Sequence, residues 1–300
     1  MALSSYAATA VASLLVAASG PAPYNESVAA TDIWLNQAVG CPHDAIQSWT
    51  CGPACTAAPT TARLIAVNDS KHTFALTART SAEECIVVFR GSKDIDNVLE
   101  DLDFFPHPLP ECGSGCKVHS GFYGSWKSLE PQVRDHLAQL GCGNSSLSII
   151  GHSLGAAMAA LAAFEFAAAD ATAPWRALRR LYTYGQPRTG NAAFATAFTA
   201  RLQKLKLPHY RVVDYKDAVP HVPYKNMFGE GWVHTGPEVY YHATRRGAYA
   251  ICARANDTAC SAQWNLFQTL SHTCDHCSYL GMNPCDCGKS KPACEEPHGR

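Results

Sequence analysis

The sequence predicts an α/β fold, a mostly parallel central sheet flanked by helices in a single domain, and three observations carry that expectation. Short apolar, β-branched runs alternate with longer stretches of helical spacing. The connections between successive runs are long enough to be crossovers, which parallel strands require and hairpins do not. No Gly/Ser-rich or Pro-rich linker divides the middle of the chain, so its 300 residues form one large core rather than two. The 24 Lys plus Arg nearly cancel the 25 Asp plus Glu. Without a basic field to hold a phosphate backbone, a dedicated nucleic-acid binder is excluded.

The elements follow in chain order. Ala7 to Ser19 is apolar and rich in small residues, and Gly20-Pro21-Ala22-Pro23 closes it. The run falls well short of the roughly 20 residues that span a bilayer as a helix. Residues 1–20 therefore read as a signal peptide, leaving a domain over 21–300, although no Lys or Arg precedes the apolar run. A buried Ala-rich helix is the alternative. Fourteen cysteines fit the same compartment, since an exported protein can pair them and a reducing cytosol cannot. Asn25, Asn68, Asn144 and Asn256 each open an N-x-S/T sequon. An amphipathic stretch over Val28–Val39 precedes a Cys- and Pro-containing loop, 40–59. Strands are expected at Arg63–Val67, Thr73–Thr77 and Cys85–Phe89, divided by the turn formers Asn68-Asp69-Ser70 and Thr80-Ser81. A helix over Gly121–Leu140 places Phe122, Trp126, Leu129, Val133, Leu137 and Leu140 at helical spacing despite Pro131. A strand at Ser146–Ile150, a small-residue helix at Leu154–Ala169, a strand at Leu181–Tyr184, a helix at 191–205 and a strand at Tyr210–Tyr215 complete the alternation. A Cys-rich tail, 272–300, ends the chain.

The chemistry is carried by Gly151-His152-Ser153-Leu154-Gly155. In a G-x-S-x-G elbow the serine occupies a sharp strand-to-helix turn, where glycines leave room for strained backbone and close helix packing. Here the pentapeptide does follow an expected strand and open an expected helix. The helix N-terminus directs its unpaired N–H groups and positive dipole end at Ser153.

Other motifs recur around the elbow in order: Val88-Phe89-Arg90-Gly91-Ser92, Cys112-Gly113-Ser114-Gly115-Cys116, Val118-His119-Ser120-Gly121-Phe122, Tyr184-Gly185-Gln186-Pro187-Arg188-Thr189-Gly190-Asn191 and Asp217-Ala218-Val219-Pro220. With them, Val28 to Met282 resembles the secreted, fungal-type class 3 lipases, a group that also contains feruloyl esterases. The resemblance implies an α/β-hydrolase fold and hydrolysis of carboxylic esters, with no metal and no organic cofactor. It also implies an acylglycerol or other ester as substrate and a lipid–water interface as partner. A monomer, secreted to the extracellular space, is expected.

Hydrolases of this fold run Ser, acid, His along the chain. The acid is expected to be Asp217, after the Tyr210–Tyr215 strand, with Asp214 its rival; Asp214 stands where family members often carry a His. The base is expected to be His276, whose His276-x-x-Tyr279-x-Gly281 matches the family's C-terminal segment, whereas His272 lacks that trailing pattern. His119, His221, His234 and His242 read as surface or core residues, with His221 and His234 able to line the cleft. The oxyanion hole is expected from the backbone N–H groups of Leu154 and Ser92, with the Ser92 hydroxyl as a further donor by resemblance. Residues 93–105 place Ile95, Val98, Leu99 and Leu102 at helical spacing; the resemblance makes this segment the lid, and a surface helix packed by one face is the alternative. Val98 stands where many lipase lids carry Trp, so a feruloyl or other esterase acting on non-lipid esters is the alternative substrate reading.

The tail offers a reading from another class. His272-x-Cys274-x-x-Cys277 with Cys285-x-Cys287 and Cys294 has the spacing of a small zinc-binding module, but in an exported chain disulfides are the expected state. A catalytically dead binding homologue is opposed by the complete set of Ser, His, Asp and oxyanion residues. The resemblance pairs Cys51 with Cys55 and Cys112 with Cys116, and ties Cys41 to Cys285 or Cys287. Cys252 and Cys260 close a hairpin loop, and Cys85 reads as a buried small hydrophobe.

Overall fold

The structure, a computed structural model, describes residues 21–81, 83–92, 105–168, 173–242, 246–289, 291 and 293–294. The signal peptide expected at 1–20 and residues 93–104 of the expected lid lie outside the described residues.

The central sheet has eight strands: β1 Ala62–Asn68, β2 Thr73–Arg79, β3 Glu84–Phe89, β6 Ser146–His152, β7 Ala177–Tyr184, β9 His209–Asp214, β11 Glu238–Tyr241 and β12 Tyr249–Cys252. They lie side by side in that order. The pairs β3/β6, β6/β7, β7/β9 and β9/β11 are parallel, and antiparallel pairing is confined to the two edges. A small antiparallel sheet, in the order β10-β8-β5-β4, joins Trp232–Val233, Gly190–Asn191, Lys117–His119 and Pro106–Pro108. The sheet therefore runs two strands further than the sequence pattern predicts, because Glu238–Tyr241 and Tyr249–Cys252 are too short for a visible period.

The alternation of side chains along a strand splits the core into two layers. From β3, Cys85, Val87 and Phe89 enter one layer, while Ile86 and Val88 enter the other. The first layer is closed by three helices, α4 Ser120–Gln139, α5 Leu154–Phe166 and α6 Ala192–Lys204, through residues such as Trp126, Met158 and Phe198. The second is closed by α1 Glu26–Ala38 and by the tail residues Tyr279, Leu280 and Met282. Two short helical turns, α2 His43–Ser48 and α3 Pro53–Ala57, follow α1, and α7 Leu266–Thr269 comes late in the chain. Almost every residue of α5 is buried, which suits its small side chains: a helix packed on all sides cannot afford a polar face. It ends at Phe166, short of Ala169, which is outside the described residues.

All 14 cysteines pair. Cys51–Cys55, Cys112–Cys116 and Cys252–Cys260 follow the expected pattern, and Cys41 bonds Cys287. Cys85 corrects the expectation: it is buried, but it is bonded to Cys142 across the first core layer. In the tail Cys274 bonds Cys294 and Cys277 bonds Cys285, so these sulfurs are disulfides rather than the thiolates a zinc site uses. No helix among the described residues is long and apolar enough to cross a membrane.

Candidate active site

Ser153 stands between β6 and α5 with φ 59° and ψ −129°, a left-handed conformation that a non-glycine residue holds only under constraint. Two glycines supply the constraint. A Cβ on Gly151 would fall 2.2 Å from the Gly155 carbonyl oxygen, and one on Gly155 would fall 2.1 Å from the Phe89 carbonyl oxygen. Any larger residue at either position would push helix and strand apart. The Ser153 N–H donates to the Tyr184 carbonyl at 2.9 Å, tying the turn to the next strand.

Tyr184 is followed by Gly185, and there the other two side chains arrive. A Cβ on Gly185 would lie 2.7 Å from Asp217 Oδ2 and 2.7 Å from His276 Cε1. His276 Nδ1 donates to the Asp217 carboxylate, 2.9 Å from each oxygen. The imidazole is 1 % exposed and the carboxylate wholly buried. The His152 ring packs against the His276 ring at 4.3 Å between centroids, and its Nε2 donates to the His276 carbonyl at 2.8 Å. The residue before the serine thus fixes both ring and backbone of the histidine. Ser153 Oγ and His276 Nε2 are buried without a hydrogen-bond partner among the described residues. Buried polar atoms left unsatisfied in this way mark a place where a ligand can supply the missing partners.

Asp217 receives more than the imidazole. The Tyr279 hydroxyl donates to Oδ2, and the Val219 N–H donates to Oδ1 at 2.9 Å. Burial pushes the Asp217 pKa up, but the adjacent His276 and these two donors outweigh it and hold the carboxyl below its ordinary value. The rival Asp214 has the opposite environment. It is fully buried, neither carboxyl oxygen has a partner among the described residues, and burial, with Asp275 and Asp217 nearby, raises its pKa well above the ordinary value. Its backbone carbonyl merely closes the turn to the Asp217 N–H, at 2.9 Å. His272, rival for the base, faces Asp275 with Nδ1 3.5 Å from Oδ2.

Of the other histidines, His119, His221 and His234 are buried and His242 is exposed. Burial drives the His152 pKa down to about 3, with His276 adding to the shift, so this ring is a neutral packing partner near neutral pH. In the sequence Tyr279 stands out only as part of the His276-x-x-Tyr279-x-Gly281 segment. Its bond to the acid spans 62 residues of chain, and no local pattern announces such a contact.

Leu154 opens α5, so its N–H is among the first-turn donors that have no acceptor within the helix. Gly91 sits against Ser153, since a Cβ there would lie 3.0 Å from Ser153 Cβ, and Ser92 follows it. Arg90, Gly91, Ser92 and His152 line one wall of a cleft of about 370 Å³, and Pro284–Cys287 of the tail line the other. The expected oxyanion donors thus flank the serine on the β3 and α5 sides.

Residues 86–227 match the family described as lipase (class 3). Over that stretch the chain is similar to the class 3 lipases. A lipase from Rhizomucor miehei is 34% identical over 217 residues, covering 70% of this chain and 56% of that protein. The secreted mono- and diacylglycerol lipase A of Penicillium cyclopium is 34% identical over 157 residues, covering 52% and 47%. The chain spans about half the length of the curated relatives it matches. Among solved structures, the triacylglyceride lipase of Rhizomucor miehei superposes with a TM-score of 0.74 at 26% identity, covering 88% of this chain and 98% of that one. A triacylglycerol lipase whose catalytic centre is a serine protease triad gives 0.71 at 28% identity, covering 88% and 96%. In fold, the chain is an α/β-hydrolase with a mostly parallel sheet.

Proposed function

We propose that this protein is an extracellular acylglycerol lipase that works through Ser153, His276 and Asp217. The observation that carries the reading is the His276–Asp217 pair, 2.9 Å apart and buried, meeting at Gly185 beside a serine held at positive φ. Ser153 Oγ attacks the ester carbonyl while His276 Nε2 takes its proton. Asp217 keeps Nδ1 protonated and stabilises the imidazolium that forms. Collapse of the tetrahedral intermediate breaks the C–O bond, His276 returns the proton to the departing alkoxide, and water then hydrolyses the acyl-enzyme by the same steps. The oxyanion of each intermediate accepts from Leu154 N–H and from Ser92. The seven disulfides support an oxidising, extracellular setting.

Acylglycerols are favoured because the relatives named above are lipases, one of them a mono- and diacylglycerol lipase. The test is hydrolysis of triolein, a monoglyceride, short p-nitrophenyl esters and methyl ferulate by the secreted protein. Turnover of the glycerides, rising above their solubility limit, is the expected result. Cleavage of methyl ferulate alone would replace the lipase reading with the esterase one.

A further inference from the structure

A second cavity, of about 210 Å³, lies between the loop that follows Asp217 and the segment that leads to His276. It is smaller than the roughly 300–1,000 Å³ that drug-sized ligands occupy, so it suits a head group with a short tail rather than a whole acylglycerol. Arg188, Lys225 and His221 bring the polar groups, and Tyr224, Trp264 and Leu266 the apolar walls. Arg188 is only 5% exposed. Its guanidinium is fixed by donating to the carbonyls of His221 and of Pro223, the latter at 2.8 Å, while Nε has no acceptor among the described residues.

The balance of charge here is positive. Neither Arg188 nor Lys225 has an ion-pair partner among the described residues; burial lowers the pKa of both, nearby Arg211 lowers that of Arg188 further, and Arg188 lowers that of Lys225. The carboxylates that bear on the cavity are engaged elsewhere. Glu238 pairs with Arg211 at 3.1 Å and accepts from the Ser261 N–H, and Asp217 is held by His276 and Tyr279. Lys216 adds a further cation, 4.4 Å from the centroid of a Trp264 ring. A buried guanidinium that meets only carbonyls gains most from a charged acceptor, because charge-assisted bonds are about twice as strong as neutral ones. Burial drives the His221 pKa down to about 4, so near neutral pH this ring contributes a neutral N–H and no charge.

We propose that this cavity binds the carboxylate of a short aliphatic acid, with the acid group toward Arg188 and Lys225 and the chain against Trp264 and Leu266. The assignment rests on the cavity alone and stands whether or not Ser153 is a nucleophile. An acid released at Ser153 and one taken up from solution share this chemistry, and blocking the serine separates the two.

The test is calorimetric and tryptophan-fluorescence titration of the full, disulfide-bonded protein with hexanoate, before and after treatment with a serine-directed organophosphate. Saturable binding of one hexanoate, unchanged by the treatment, is expected. Lys225→Gln, at an exposed position, should weaken it about two- to fivefold. Trp264→Phe should abolish the fluorescence response while heat is still released. Hexanol, which lacks the charge, and inorganic phosphate, which lacks the chain, should each bind at least about tenfold more weakly. The assignment is overturned if hexanoate does not saturate, if Lys225→Gln leaves its affinity unchanged, if hexanol or phosphate matches it, or if the organophosphate abolishes binding. A protein that fails to react with the organophosphate yet binds hexanoate would refute the hydrolase reading and leave the cavity's assignment intact.

Discussion

Ser153 stands at the junction of a wholly buried strand and an almost wholly buried helix, whereas His276 sits in a five-residue 3-10 turn, Thr273–Cys277, with little regular structure on either side. The serine is placed by sheet register and by two glycines that let α5 lie against β3 and β6. The histidine is placed by covalent staples. Cys274–Cys294 and Cys277–Cys285 bracket it, and Cys41–Cys287 ties the same segment to the end of α1. One half of the proposed catalytic pair depends on packing and the other on cross-links, so each half should fail in its own way.

The largest effect removes the chemistry from either half. Ser153→Ala and His276→Ala should each lower turnover by about a million-fold, with circular dichroism and melting behaviour close to those of the parent. A folded, active His276→Ala beside an inactive His272→Ala would move the base to the other histidine and dissolve the contrast.

Gly185→Ala acts at the seam between the halves. Its Cβ would fall inside contact distance of both Asp217 and His276, and the residue would have to hold a φ of +57°. Displacing the His–Asp pair by a fraction of an ångström should cost on the order of a hundredfold in kcat. The measurement is kcat alongside KM for a soluble ester. Full activity would show that the pair has slack, which close packing around it does not permit.

How much could be read in advance follows the same division. The elbow was legible because its constraints are local: glycines two residues either side of a serine, between a strand and a helix. Asp217 was legible because it trails a strand. Long-range facts were not. Cys85 looked like a core hydrophobe, since its strand neighbours are apolar, and nothing near it in sequence points to Cys142, 57 residues on. The hydrogen bond from Tyr279 to Asp217 joins two loops whose meeting depends on the whole fold. The two-residue strands Gly190–Asn191 and Trp232–Val233 are shorter than any periodicity can report.

Opening a staple should separate activity from global stability. Cys277→Ser with Cys285→Ser removes the bond that closes the loop just beyond His276. Activity should fall about tenfold to a hundredfold, while the melting temperature drops by no more than about 10 °C. Equal loss of both would mean that the tail folds as one unit with the sheet; unchanged kcat would mean that packing alone places the base.

The smallest effect distinguishes two carboxyls three residues apart. Asp217 is surrounded by donors and has a lowered pKa, so its contribution to stability is present above the unfolded-state value and is lost as pH falls through the folded one. The Asp214 carboxyl is buried without a hydrogen-bond partner among the described residues and has a raised pKa. Its folded form keeps a proton that the unfolded chain releases near the ordinary carboxyl pKa, so between those two values the folded state binds more protons, and stability falls as pH rises. Asp214→Asn keeps the shape of the protonated carboxyl and removes the ionisation. The variant should therefore match the parent at pH 4 and exceed it increasingly toward pH 8, by about 1–3 kcal/mol in urea unfolding. Its turnover at pH 7 should stay within about twofold of the parent, because Asp217, not Asp214, faces the imidazole. A stability difference that does not change with pH would place a charge-compensating partner beside Asp214 and remove the contrast between the two acids.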